Sequence, residues 1–291
     1  MTATVFSRLA PLAPWTDRTG QLSVLRLVVF LALLVPGVLV FQDLAFGPIR
    51  PEPFEFALHQ TGEWAVRILV LSLAVTPIRR IFRWNRVIGL RRMIGVTALA
   101  YAMLHLGLYM AQENWVLPKI ASEIALRFYL TIGFVALLAL IALGATSFDR
   151  AIRTMGPRWT TLHRLVYPAT ALALFHHFLQ AKADVSAATL LSGLFVLLML
   201  YRLIAARRWR LENIGILTAA ALVASALTAG LEYAWYALAT NLPAERVFMA
   251  NFNLALSLRP AVLVLLAGLA VAAIRLGLTL ATSLKARLRA A

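Results

Sequence analysis

Five histidines are the side chains of this 291-residue chain best placed to bind a metal or carry a proton: His59, His105, His163, His176 and His177. Cysteine is absent, which excludes disulfides, iron–sulfur clusters and thiolate-bound metals. An imidazole can hold a metal through one ring nitrogen, relay protons, or simply hydrogen-bond a neighbour. Three of the five fall in one stretch, Arg158 to Gln180, which reads RWTTLHRLVYPATALALFHHFLQ. Between His163 and His176 that stretch is almost entirely apolar, so it predicts a membrane helix with imidazoles at two depths. An ionisable residue inside such a helix is costly and marks a candidate site.

The elements that must hold these rings are membrane helices. Hydrophobic residues make up 62% of the chain and charged residues only 14%, against about 25% charged in soluble domains. Apolar runs predict spans at about Leu22–Leu44, Gly62–Ile81, Met93–Gln112, Phe128–Phe148, the histidine-bearing stretch, Ala187–Ala206, Ile214–Ala239 and Leu254–Leu280. Met1–Gln21 carries no cleavable signal pattern, and the first apolar run is long enough to cross a bilayer.

The formal net charge of +16 does not indicate nucleic-acid binding, because the arginines cluster in short loops between apolar runs. Arg79, Arg80, Arg83, Arg86, Arg91 and Arg92 lie between the second and third spans. Arg150, Arg153 and Arg158 follow the fourth, and Arg207, Arg208 and Arg210 the sixth. Assigning loops alternately to two sides gives one side 21 of the 28 Lys and Arg residues. The positive side faces the cytoplasm, so both termini are expected there.

The fold class predicted is an all-α polytopic membrane helix bundle of about eight transmembrane helices. A cytoplasmic segment, 1–21, precedes a core over 22–210. Two additional helices and a basic tail occupy 211–291. The outer loops, with Arg50, Glu52, Glu55 and His59 in the first and Lys182 and Asp184 in another, are too short to be domains. No glycine-rich nucleotide-binding motif follows a strand. Chemistry therefore belongs to the bundle or to partners.

Depth then relates the histidines. With about 1.5 Å of rise per residue, His105 lies roughly 18 Å into the third span from its cytoplasmic end. His163 is at the mouth of the fifth span, with His176 about 20 Å further in. His105 and His176 thus share a level in the periplasmic half of the bilayer. Two imidazoles facing each other there can ligate one haem iron from both sides. For His105 alone, an interhelical hydrogen bond accounts equally well for the residue. His163, beside Arg164, also suits a solvated interface. On a straight helix, positions 14 apart share a face and positions 13 apart do not. Geometry would therefore align His177, not His176, with His163, unless Pro168 bends the helix. His59, before Thr61 and Gly62 at the outer mouth of the second span, suits an interface role better than a ligand.

Several stretches resemble the MsrQ (YedZ) family, haem-binding membrane subunits within the ferric-reductase-like transmembrane proteins. They are HQTGEWAVRILVLSLAVTPIRR, LRRMIGVTALAYAMLHLGLY, RFYLTIG and RWTTLHRLVYPA with the HH pair after it. The resemblance covers about His59 to Arg208. It implies a six-helix core with b-type haem held by the histidines matching His105, His163 and His176, and its spacing favours His176 over His177. It also associates FMN with the family. The expected partner is a periplasmic molybdopterin catalytic subunit (MsrP-like) that reduces methionine sulfoxide in oxidised proteins, so sulfoxide reduction itself is not expected on this chain. Electrons would come from the quinone pool or a cytoplasmic flavin reductase. The location implied is the bacterial inner membrane, in contact with lipid.

Relatives with two stacked haems carry a second histidine on the third span, 13 or 14 residues before the first. Here those positions are Arg92 and Arg91. His163 would then serve a second haem or a flavin without a histidine partner, with Arg91 and Arg92 pairing haem propionates or an FMN phosphate. Cytoplasmic anchoring is the simpler role for these arginines. Two competing readings accompany the electron conduit: a haem-containing transmembrane metal or quinone reductase, and a non-redox transporter or assembly subunit.

Overall fold

The computed structural model describes residues 13–16, 19–48, 53–181, 184–253 and 258–290. Arg50, Glu52, Lys182, the start expected for the last span at Leu254, and much of the 1–21 segment lie outside the described residues. Apart from one bridge between Thr16 and Leu22, regular structure here is helical. The helices are α1 (Val24–Phe46), α2 (Pro53–Phe82), α3 (Arg91–Gln112), α4 (Leu117–Leu126), α5 (Phe128–Ala145), α6 (Asp149–Met155), α7 (Pro157–His163), α8 (Val166–Gln180), α9 (Ser186–Ala206), α10 (Ile214–Ala239), α11 (Ala244–Met249) and α12 (Pro260–Ala290).

Six helical segments among the described residues are long and apolar enough to cross a membrane. They correspond to α1, α3 with the 3-10 segment before it, α5, α9, α10 and α12. The second and fifth expected spans differ from these. α2 has 30 residues but carries Glu63 and Arg67, ion-paired one turn apart. It also starts earlier than expected, so Glu55 and His59 are helical residues and not loop residues. Proline suits its first position, which needs no intrahelical donor.

The stretch Arg158–Gln180, expected as one helix, is two. α7 ends at His163, Arg164 and Leu165 form a turn, and α8 restarts at Val166. Pro168 explains the break. It has no N–H to give the Arg164 carbonyl, and its ring crowds that carbonyl. Tyr167 N–H bonds Arg164 O instead at 3.1 Å, and Leu165 N–H bonds Leu162 O at 2.9 Å, both over three residues. The rise and face counts made along a straight helix from His163 therefore do not apply.

Two compact units divide the chain: residues 1–72 with 88–176, and 73–87 with 177–291. In the first, Tyr101 of α3 joins α1. Its hydroxyl accepts from Gly37 N–H at 2.7 Å and donates to Leu33 O at 2.9 Å. A phenol thus bridges two groups that a continuous helical ladder would pair directly. The connection from α3 to α5, expected as loop, contains the ten-residue α4. Tyr109 donates to Glu123 of α4 at 2.6 Å.

In the second unit α9, α10 and α12 pack closely through small residues. A side-chain carbon at Gly193 would collide with Thr228 and Val264, an approach typical of membrane helices. Ser225 donates to Ala261 O at 2.8 Å. Glu232 on α10 is 1% exposed and pairs with Arg259 at 2.6 Å. At the other end of the unit, Arg83 grips Glu212 through two bonds of 2.6 and 2.7 Å. That grip holds the Glu212 carboxyl below the usual carboxylate range.

Candidate functional site

The first unit brings His105 and His176 together. Their ring centroids are 6.3 Å apart and the ring planes meet at 78°. Each ring is tied by Nδ1 to the backbone of a neighbouring helix. His105 Nδ1 lies 2.9 Å from Leu58 O on α2, and His176 Nδ1 lies 2.8 Å from Tyr129 O on α5. A carbonyl only accepts, so Nδ1 carries the proton in both rings and Nε2 keeps its lone pair. Both partners lie 47 residues before their histidine.

The helices that supply these carbonyls make room for the rings with glycine. Four residues after Leu58 comes Gly62, where an added Cβ would lie 2.8 Å from His105 Cε1 and Nδ1. Four residues after Tyr129 comes Gly133, where the same atom would lie 2.8 Å from His176 Cε1 and Nδ1. The arrangement is built twice at a constant sequence offset, once from α2 and α3 and once from α5 and α8. Sequence reasoning on the histidines missed the two carbonyls and the two glycines. A usable signal was present, since a glycine precedes each histidine at the same distance.

His163 is not part of this pair. It ends the separate helix α7, donates from Nδ1 to Trp159 O at 3.1 Å, and stacks on the Trp159 ring at 3.8 Å. Its Nε2 is 3.4 Å from Ser147 Oγ. Burial pushes its pKa below the ordinary histidine value, and the positive charge of Arg91 adds to that. Arg92 is ion-paired with Asp149. His59 is exposed and bonds Glu55 O on its own helix at 2.8 Å. His177 follows His176 on α8, with its Nε2 buried.

Among the described residues, no group of three or more His, Cys, Asp or Glu side chains is placed to hold a metal ion. A bare ion at the His105–His176 pair would thus find two protein ligands, short of the four that a structural zinc takes.

Comparison with known proteins fits this geometry. Residues 61–174 match the ferric reductase like transmembrane component family. This segment contains His105, His163 and both glycines. A protein of Rhodospirillum rubrum, the protein-methionine-sulfoxide reductase heme-binding subunit MsrQ, is 38% identical over 198 residues, covering 67% of this chain and 92% of the relative. Proteins of the same name from Deinococcus radiodurans and Herminiimonas arsenicoxydans are 40% and 33% identical, over 78% and 90% of their lengths. No solved structure matches the chain at a significant level. The family and the apolar helices together make this a multi-pass membrane protein. The chain belongs to the MsrQ family of ferric-reductase-like transmembrane proteins.

Proposed function

We propose that this chain is the haem-carrying electron-transfer subunit of a methionine sulfoxide reductase system, with a b-type haem held between His105 and His176. The observation that carries the reading is the ring pair. Two imidazoles whose centroids lie 6.3 Å apart would leave room between them for one iron at metal–nitrogen distances of about 2.0 Å. A haem iron brings four nitrogens of its own, so two imidazoles complete its coordination. The relatives' printed name, heme-binding subunit, supports the same group.

When bound, the haem supplies a one-electron iron couple. The residues of the chain do the rest. Leu58 O and Tyr129 O hold the Nδ1 protons, fix both tautomers, and raise the basicity of Nε2. Leu108 and Leu174, near the two histidines on their helices, are buried and keep their surroundings apolar. At the cytoplasmic level, we would assign His163 to a second haem or a flavin, with Arg91 pairing a haem propionate or an FMN phosphate. Arg92 is already engaged by Asp149.

We place the core at residues 22–210 in the bacterial inner membrane, with eight spans and both termini in the cytoplasm. Electrons would enter from the quinone pool or a cytoplasmic flavin reductase and leave to a periplasmic molybdopterin subunit. The ferric-reductase match over 61–174 favours, as a second reading, a metal reductase built on the same haem.

Purified protein should show a reduced b-type absorption spectrum. The near-perpendicular ring planes predict a strongly anisotropic low-spin EPR signal in the oxidised form. A colourless protein overturns the proposal. Reporter fusions at either terminus test the topology, and a periplasmic C-terminus would remove the eight-span arrangement. Electron delivery to a purified molybdopterin partner, against delivery to ferric chelates, separates the two readings.

A further inference from the structure

We propose that Gly62 and Gly133 are positioning residues for the two axial imidazoles, each opening a notch through which a ring reaches a helix carbonyl; this rests on the haem reading above. In an α-helix the carbonyl of residue i accepts from the N–H of residue i+4. The Cα–Cβ bond of residue i+4 tilts toward the helix N-terminus, so its Cβ leans back over that carbonyl. The carbonyl has a second lone pair, and a missing Cβ at residue i+4 leaves room for a donor as bulky as an imidazole to reach it.

Leu58 and Gly62 stand in this relation, and so do Tyr129 and Gly133. Each carbonyl receives an imidazole Nδ1, at 2.9 and 2.8 Å. At each glycine an added Cβ would come within 2.8 Å of the same ring's Nδ1 and Cε1. At Gly133 it would also lie 3.0 Å from His176 Cγ. Separations this short force the ring to shift. Neither ring can shift freely, because Nδ1 is tied to the carbonyl and the other imidazole lies 6.3 Å away, centroid to centroid. A methyl at either position must therefore lengthen the Nδ1 bond or rotate a ring plane. Both changes act on the iron through the imidazole.

Other glycines of the same unit supply the contrast. Gly95 and Gly107, on the helix that carries His105, have open space where a Cβ would go. At Gly144 a Cβ would meet Leu99, which gives crowding without an imidazole.

The test compares G62A, G133A, G95A, G107A and G144A with the wild type at equal haem content, by EPR of the oxidised form and by redox titration. G62A and G133A should each move the largest g value and the midpoint potential. The double variant should move them further, with a growing high-spin fraction. G95A, G107A and G144A should keep the wild-type signal. A wild-type signal and potential in both G62A and G133A overturn the proposal, as does an equal displacement in G144A. Should G62A not accumulate, the His105→Ala background with added free imidazole replaces it. There G62A should raise the imidazole concentration needed for half-conversion to the low-spin form about tenfold, the scale of one overpacked methyl. Equal concentrations with and without the methyl overturn the proposal. A wild type lacking any low-spin signal sinks the haem reading and this one together. An unchanged signal in the glycine variants sinks only the positioning role.

Discussion

His105 and His176 are tied to the carbonyls of neighbouring helices, each 47 residues earlier in the chain. His59 and His163 are tied to their own helices, to Glu55 O and Trp159 O, each four residues earlier. A bond of the second kind fixes nothing beyond the helix that bears the ring, and His163 adds to it only the longer 3.4 Å contact with Ser147 Oγ. A ring of the first kind is fixed in the frame of the bundle, because two helices must agree on its place. Preorganised ligation needs the first kind.

The largest effect that would break this contrast comes from removing a cross-helix ring. His105→Ala and His176→Ala should each abolish the low-spin signal. The loss should exceed the roughly 10–100-fold that outer-shell partners alone contribute to metal affinity. Absorption and EPR at equal protein content provide the check. Retention of the low-spin signal in His105→Ala would remove the two-helix site altogether.

A smaller effect is expected from His163→Ala. The outer low-spin signal should persist, while reduction from the cytoplasmic side slows in stopped-flow traces. Linkage gives a second handle on this ring. Its folded pKa lies below the unfolded value of about 6.5. The unfolded chain then binds more protons in the window between the two values, and stability rises with pH across it. The His163 contribution is complete above about pH 6.5 and is lost as pH falls through the folded value. Melting curves from pH 7.5 down to 5 should therefore drop less steeply for His163→Gln than for the wild type. Parallel curves would mean that the ring is solvated.

The smallest effects concern the remaining two histidines. His177→Ala should leave the spectrum unchanged and cost about 1 kcal/mol in stability, the ordinary size for a point substitution. Exposed His59→Ala should stay within about 0.5 kcal/mol with full haem content. Loss of the low-spin signal in His177→Ala, with retention in His176→Ala, would move the ligand by one position.

Much of this arrangement could be read from the residues. The apolar runs and arginine clusters marked the helices, and His105 and His176 were singled out as the pair that the structure brings to 6.3 Å, although the rise counted from His163 assumed a helix that breaks at Arg164 and Leu165. The choice between His176 and His177 could not be read from an ideal helix. Counting faces from His163 assumed continuity across Arg164 and Leu165, where Pro168 removes a donor and the helix restarts. The carbonyls of Leu58 and Tyr129 left no trace in the sequence, because every residue has one. Gly62 and Gly133 were visible as letters, but their meaning depends on which ring approaches them. The α4 helix was missed because its charged residues, such as Lys119 and Glu123, read as a loop. In the structure Lys119 pairs with Glu113, and Glu123 is held by Tyr109.

The buried pair of Glu232 and Arg259 has a consequence for biogenesis. Glu232 belongs to α10, and its partner is made 27 residues later, just before α12. At about 5–20 residues per second, α10 leaves the ribosome a second or more before its counter-charge exists. An acidic side chain near mid-membrane costs about 2.5–3.5 kcal/mol on the translocon insertion scale, and less toward the bilayer surface. The two-helix hairpin, which contains both charges, then inserts at a lower electrostatic cost than α10 alone. A topology reporter fused after α10 should show incomplete integration, and one fused after α12 should show recovery. Equal integration at both points would mean that α10 enters the bilayer without its counter-charge.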